Sequence, residues 1–180
     1  MRKVIRKLFW AWDYDKEEAW LNEMAAKGFA LISTGFCKYE FEECTPGEYG
    51  IQLEMLDCIA KSESGRQYIS FVEETGAECV GTWLSWVYFR KKLAYGEEFR
   101  LFSDKDSLIR HMKKIISFLL FLGIFNLWIG VFNVIIVALN GTANFPLGSI
   151  NIVLGAMAIG GAVKLKKKKS ALENERMISE

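Results

Sequence analysis

Apolar residues recur in two different ways along this chain. Up to about Lys92 they come in short runs, at strand or helix spacing, while from Ile115 to Val163 no charged residue interrupts them. In the first part, Val4–Trp12 is apolar and aromatic with basic interruptions, and as a strand it would present Leu8, Trp10 and Trp12 on one face. Asp15 and Glu18 have capping-box spacing before a helix expected over Lys16–Lys27, with Trp20, Leu21, Met24 and Ala25 inward and Gly28 ending it. Strands are expected over Phe29–Phe36 and Lys38–Glu42. After the turn signal Thr45-Pro-Gly47, another is expected over Glu48–Leu56, where Tyr49, Ile51, Leu53 and Met55 alternate with polar or small residues.

The pattern then recurs. Ser64 and Gln67 resemble a second capping box, a helix passes through Ile69 and Val72 to Gly76, and Ala77–Trp83 and Trp86–Lys91 read as a further pair of strands. Superposing Gly28 on Gly76 aligns Ile32 with Val80, Thr34 with Thr82, Phe36 with Leu84 and Phe41 with Phe89. The predicted fold class is therefore α+β: an antiparallel sheet with helices on one face, built from two duplicated βαββ units and followed by a two-helix transmembrane hairpin.

The hairpin follows from length. Residues 115–139 would form a helix of about 37 Å, enough to cross a hydrocarbon core of about 30 Å with some tilt. Residues 145–163 are shorter and reach spanning length when 164 and 165 are counted as a snorkelling edge. The expected boundaries are an α+β domain over 1–104, a helical stalk over 105–114 beginning at a cap near Ser103 and Asp106, spans over 115–139 and 145–165, an external turn over 140–144, and a basic tail over 166–180. Arg110, Lys113 and Lys114 precede the first span, Lys164 and Lys166–Lys169 follow the second, and the turn carries no charge. The positive-inside rule then places both termini in the cytoplasm of a cell membrane crossed twice.

Charge and reactive residues narrow the chemistry. Of 23 basic and 22 acidic residues, 17 and 19 precede Ile115, and so nearly neutral a domain lacks the basic face that nucleic-acid binding needs. Cys37, Cys44, Cys58 and Cys79 match no zinc spacing, and His111 is the single histidine. No apolar run follows Arg2, Lys3, Arg6 and Lys7, so no secretory leader is expected. Neither a nucleophile–histidine pair nor a phosphate-cradling glycine loop is present, so no catalytic residue, metal or cofactor is expected. Asp13, Asp15, Glu17 and Glu18 read as carboxylates at the positive end of a helix.

Two groups remain. Trp10, Trp12, Trp83 and Trp86, with Arg90 nearby in sequence, would form either an aromatic core or a pocket for a flat apolar ligand. Gly123, Asn126, Gly130 and Asn133 in the first span, with Ala156 and Gly160 in the second, have the spacing of helix-association residues. They would serve packing inside one hairpin, or contact with a second copy or another membrane protein. Asn126 in particular would lack a side-chain partner inside a lone hairpin and is expected to meet one outside it.

Trp12-Asp-Tyr-Asp-Lys-Glu-Glu-Ala-Trp-Leu-Asn-Glu-Met-Ala-Ala-Lys-Gly28, Pro46-Gly-Glu-Tyr49, Trp86-Val-Tyr-Phe-Arg-Lys91 and Leu101-Phe-Ser-Asp104 resemble the bacterial family catalogued as domain of unknown function 2812. The resemblance covers nearly all of residues 1–114. It implies a small membrane protein of Firmicutes-type bacteria, often encoded beside PadR-type transcriptional regulators, and it transfers no catalytic or ligand residue. The expected function is a non-enzymatic, membrane-tethered cytosolic module for binding, sensing or adapting, whose partners are the bilayer, a membrane protein or second copy, and an apolar small molecule. The alternatives are an accessory subunit of a membrane complex and a membrane-surface enzyme.

Overall fold

In a computed structural model, residues 2–94, 97–102, 104–140 and 145–179 are described, without the side chains of 140, 145–147 and 176–179. The chain divides into two units at Ser103/Asp104.

The first unit has β1 (Arg2–Arg6), α1 (Tyr14–Ala26), β2 (Phe29–Gly35), β3 (Lys38–Glu43), β4 (Tyr49–Met55), α2 (Glu63–Glu73), β5 (Ala77–Trp83) and β6 (Trp86–Lys92). These form two antiparallel three-stranded sheets, β1-β3-β2 and β4-β6-β5, one for each βαββ unit. The duplication extends to irregularities. Each hairpin shifts register once, between Leu31 and Ser33 in one and between Cys79 and Gly81 in the other, positions made equivalent by superposing Gly28 on Gly76. Those two glycines end their helices at φ 85° and 86°, the left-handed conformation that lacks a steric penalty only without a Cβ. Phe41 and Phe89, also equivalent, are fully buried at the centre of each half.

The halves meet along β2 and β5. A Cβ on Gly81 would lie 3.1 Å from the Thr34 backbone nitrogen, so the close approach requires glycine there. Helix α1 also docks on β4, the outer strand of the other half. The Asn22 amide donates to Ile51 O at 2.8 Å and accepts from Ile51 N at 2.9 Å, while a Glu18 oxygen accepts from Leu53 N at 3.0 Å. Backbone groups that an edge strand leaves open are thus satisfied by side chains of a helix.

Local boundaries differ from expectation for physical reasons. Strand β1 stops at Arg6 because its partner β3 begins at Lys38; one more bond, Lys7 N–H to Cys37 O, follows, and beyond the hairpin tip no ladder remains. Residues Ala11–Asp13 form a 3₁₀ turn instead, so Leu8, Trp10 and Trp12 share no strand face. Asp15 does not cap α1, which begins at Tyr14 without a side-chain cap, and Glu18 is drawn to β4. On α2 the cap is Ser62 rather than Ser64, accepting from Gly65 N at 3.2 Å. The expected cap at Ser103 lies outside the described residues, whereas Asp104 Oδ1 accepts from Ser107 N.

The second unit is a hairpin of α3 (Lys105–Asn140) and α4 (Phe145–Ser179). Both helices are long and apolar enough to cross a membrane. Phe121, Ile124, Trp128 and Leu139 are each more than 60% exposed, unlike the residues of a helix buried in a soluble core. Glycines let the two backbones approach: Gly123 faces Gly155 and Ile159, and Gly130 faces Gly148 and Ile152. Of the turn expected over 140–144, Asn140 belongs to α3 and the remainder lies outside the described residues.

Candidate functional site

Helix α1 carries Tyr14, Glu17, Leu21 and Met24 on one buried stripe, at the three- and four-residue spacing that stacks side chains on one helix face. That stripe puts a carboxylate among apolar neighbours, where an ionised group loses its hydration. Glu17 is 7% exposed. Two phenols replace the lost water: Tyr39 on β3 and Tyr88 on β6 each donate to Glu17 Oε1 at 2.7 Å. One tyrosine comes from each half, so the carboxylate sits where the duplicated units join. Burial raises the Glu17 carboxyl above its ordinary value, and the two phenol hydrogen bonds pull it partly back. Burial, reinforced by the adjacent Glu17, also pushes both tyrosine hydroxyls above their usual range.

Aromatic rings surround this group along the stripe. One turn before Glu17, Tyr14 packs on Trp86 with ring centroids 5.9 Å apart. One turn after it, Trp20 meets Tyr39 edge-on at 5.1 Å and Phe41 at 5.8 Å, with Phe9 behind them. The ammonium of Lys7 lies over Trp20 at 4.5 Å and over Phe9 at 4.7 Å.

The second half supplies the comparison that gives the site its weight. The position equivalent to Glu17 is Gly65, where a Cβ would lie 2.6 Å from Ile59 O, too close for any side chain. Tyr39 and Tyr88 correspond to Val87 and Glu40. A βαββ unit therefore folds without a carboxylate at this helix position; the second half has its own buried carboxylate elsewhere, Glu54 on β4, which accepts from the Tyr68 hydroxyl at 2.7 Å.

The family described as protein of unknown function (DUF2812) matches residues 13–124. The chain belongs to this family. The DUF2812 span contains Glu17, Tyr39 and Tyr88 and runs on into α3. No curated protein and no solved structure matches the chain.

The tryptophans singled out from sequence do not assemble into one pocket. Trp10 and Trp12 stack on each other, centroids 5.0 Å apart and planes 2° from parallel. Trp86 is buried against Tyr14 and pairs across its hairpin with Trp83, which is 44% exposed and touches Phe36. Arg90 is taken up by structure. It donates to Glu78 at 2.8 Å, and to Glu42 and Leu31 O at 3.0 Å each, tying the two sheets together. A shallow cavity of about 400 Å³ is lined by Thr45, Pro46, Gly47, Glu48, Leu93, Ala94 and Glu97, none of them a tryptophan.

Of the helix-association residues, Gly123 and Gly130 are used inside the hairpin. Asn126 and Asn133 donate to Leu122 O and Ile129 O of their own helix, at 2.8 and 2.9 Å. Asn126 therefore has a partner without a second protein, against expectation. Ala156 and Gly160 are exposed, and nothing lies within 4 Å of a Cβ at Gly160; Gly148 and Gly155 fill the role expected of them.

Sequence reasoning missed Glu17, Tyr39 and Tyr88 as a group, having assigned Glu17 to the helix dipole. The available signal was its place on the stripe with Tyr14, Leu21 and Met24.

Proposed function

We propose that this protein is a non-enzymatic, membrane-tethered binding module. The hairpin holds it in the bilayer with both ends on the cytoplasmic side, and the α+β unit takes a small ligand at the seam between its halves. The observation that carries this reading is the Glu17 carboxylate, buried between a tyrosine from each half, with a glycine, Gly65, at the equivalent helix position of the duplicate. Burying a carboxylate costs stability that an apolar side chain would not, and such a cost is commonly retained where it serves a site. A ligand that touches Glu17 also touches both halves, so binding can alter how they join. Tethering raises the local concentration of the module at the membrane.

Purification from native membranes in gentle detergent, with mass spectrometry of released small molecules, tests the reading. The expected result is a compound retained by the natural protein and lost from a folded Glu17→Gln variant. A protein partner held equally by both, with no small molecule, would sink it. That outcome would favour the second reading, an accessory subunit, for which Phe36, Trp83 and Leu84 form an exposed apolar group at the hairpin tips.

A further inference from the structure

We infer that the two hairpin tips of the α+β unit dip into the headgroup region of an anionic bilayer, a second lipid contact besides the spans. Such docking rests on the membrane tether of the reading above and not on the seam site. The tips are Phe36-Cys37, between β2 and β3, and Leu84-Ser85, between β5 and β6. Phe36 and Leu84 are equivalent in the duplication, so both halves put a large apolar side chain at this position, 74% and 59% exposed. Leu84 also holds φ at 54°, a left-handed conformation that disfavours a bulky side chain and that glycine adopts freely. Neither the exposure nor the strain stabilises the fold, whereas removal of these side chains from water would offset both.

The two tips are neighbours, with the Phe36 and Trp83 rings 5.8 Å apart. Leu8 and Ile59 extend the group, because Lys7 N donates to Cys37 O at 3.1 Å and Ala60 N to Leu84 O at 2.8 Å. Leu8, Phe36, Ile59, Trp83 and Leu84 are all exposed. Charge and chain direction favour lipid as what covers them. Arg6 and Lys38 lie opposite each other in the β1–β3 ladder beside the first tip, and Lys7 follows them. Glu40 pairs with Lys38 at 2.6 Å, while Lys7 lies over ring faces. In the other half Lys61 stands between Asp57 and Glu63, so the excess of positive charge belongs to the first tip. Anionic headgroups complement that excess, and a tryptophan with apolar neighbours suits the interface beneath them.

The chain also leaves the unit toward this end. A Cβ on Gly50 would lie 2.8 Å from the Phe99 Cβ, and Leu101 N reaches Gln52 Oε1 at 3.5 Å. Residues 99–101 therefore follow β4 in its own direction, toward Met55, which pairs with Trp86 beside the second tip. The uncharged stretch starts at Ile115, about 15 Å of helix after Lys105. An embedded α3 thereby keeps a bilayer within reach of the unit.

The test uses full-length protein, one copy per nanodisc, in phosphatidylcholine–phosphatidylglycerol bilayers, with the four native cysteines replaced. A single nitrobenzoxadiazole label is placed by Leu84→Cys, by Glu74→Cys or by Phe121→Cys. Glu74 is exposed near the start of β5, the end away from the tips, and Phe121 is exposed on α3. Lipids with a nitroxide near the headgroup should quench the Leu84→Cys label at least about twofold more than the Glu74→Cys label, given an insertion depth of about 5–10 Å. If Leu84→Cys does not fold, Phe36→Cys carries the label with the same expectation. Phe36→Glu, made at an exposed position, should remove the excess quenching at Leu84→Cys; full retention would show nearness without insertion and overturn the docking. Equal quenching at Leu84→Cys and Glu74→Cys would also overturn it, and quenching of Phe121→Cys by deep nitroxides would then leave the tether standing. An unquenched Phe121→Cys label would remove the tether and the docking together. Shielding of the Leu84→Cys label from iodide only in discs that hold two copies would assign the tips to a second copy and overturn the lipid contact.

Discussion

Glu17 and Glu18 are consecutive carboxylates on one helix, yet neither points freely into water. Glu18 accepts from Leu53 N at 3.0 Å and from the Gln52 amide at 2.9 Å. Burial outweighs these bonds and pushes its carboxyl from 4.5 up to about 7. The sign follows directly. A group harder to ionise in the folded than in the unfolded chain contributes stability that is full below its unfolded pKa and is lost as pH rises through the folded value. Glu17 shifts in the same direction. Urea denaturation should therefore show stability falling between about pH 4.5 and 7, with Glu18 accounting for about 1–2 kcal/mol after allowance for its partial exposure. Glu18→Gln keeps an acceptor for Leu53 N and should flatten that slope; an unchanged slope would show that Glu18 titrates normally. The Glu17 half of this site was legible as a carboxylate on an apolar stripe. Tyr88 was not, because it lies 71 residues away and meets Glu17 only once both halves have folded.

At the scale of elements, the duplication was readable because spacing between glycine and aromatic positions survives when identities do not. Phe41 and Phe89 kept both size and place, and so did the two helix-ending glycines. What spacing could not show was that the sheet is split, since the β2–β5 approach depends on the missing side chain of Gly81 against the Thr34 backbone. The long helices pose the same problem in sharper form. Small residues recur on more than one face, and sequence alone did not reveal which face met the partner helix. Gly130, packed on Gly148 and Ile152, and Gly160, facing open space, separate the two cases. Gly130→Leu should force the helices apart and lower the thermal stability of the hairpin in detergent, by about 1–3 kcal/mol if the backbones cannot adjust. Gly160→Leu should leave it within about 0.5 kcal/mol. Equal effects would mean that the glycine seam is not what closes the hairpin.

For the whole molecule, the decisive geometry is that an antiparallel hairpin returns to the side it left. The pairing of Gly123 with Gly155 and of Gly130 with Gly148 makes α3 and α4 antiparallel, so Lys105–Lys114 and Lys164–Lys169 lie toward the same end. An embedded hairpin therefore has both chain ends on one side of the bilayer, and charge decides which. Arg110, Lys113 and Lys114 before the first span, and five lysines from Lys164 to Lys169, all sit at that end. The stretch from Ile115 to Val163 has no charge to oppose them, so the positive-inside rule predicts that this end faces the cytoplasm. The exposed Phe121, Trp128 and Leu139 give lipid the apolar surface it would contact. Single cysteines placed at Ala143 and Ser170, after replacement of the four native cysteines, turn this into a measurement. A membrane-impermeant maleimide added to intact cells should label the Ala143→Cys protein and should reach the Ser170→Cys protein only after the membrane is permeabilised. The reverse pattern would invert the molecule and place Glu17 outside the cell. Labelling of both positions in intact cells would mean that the chain does not loop through the membrane, and the tether would have to be abandoned.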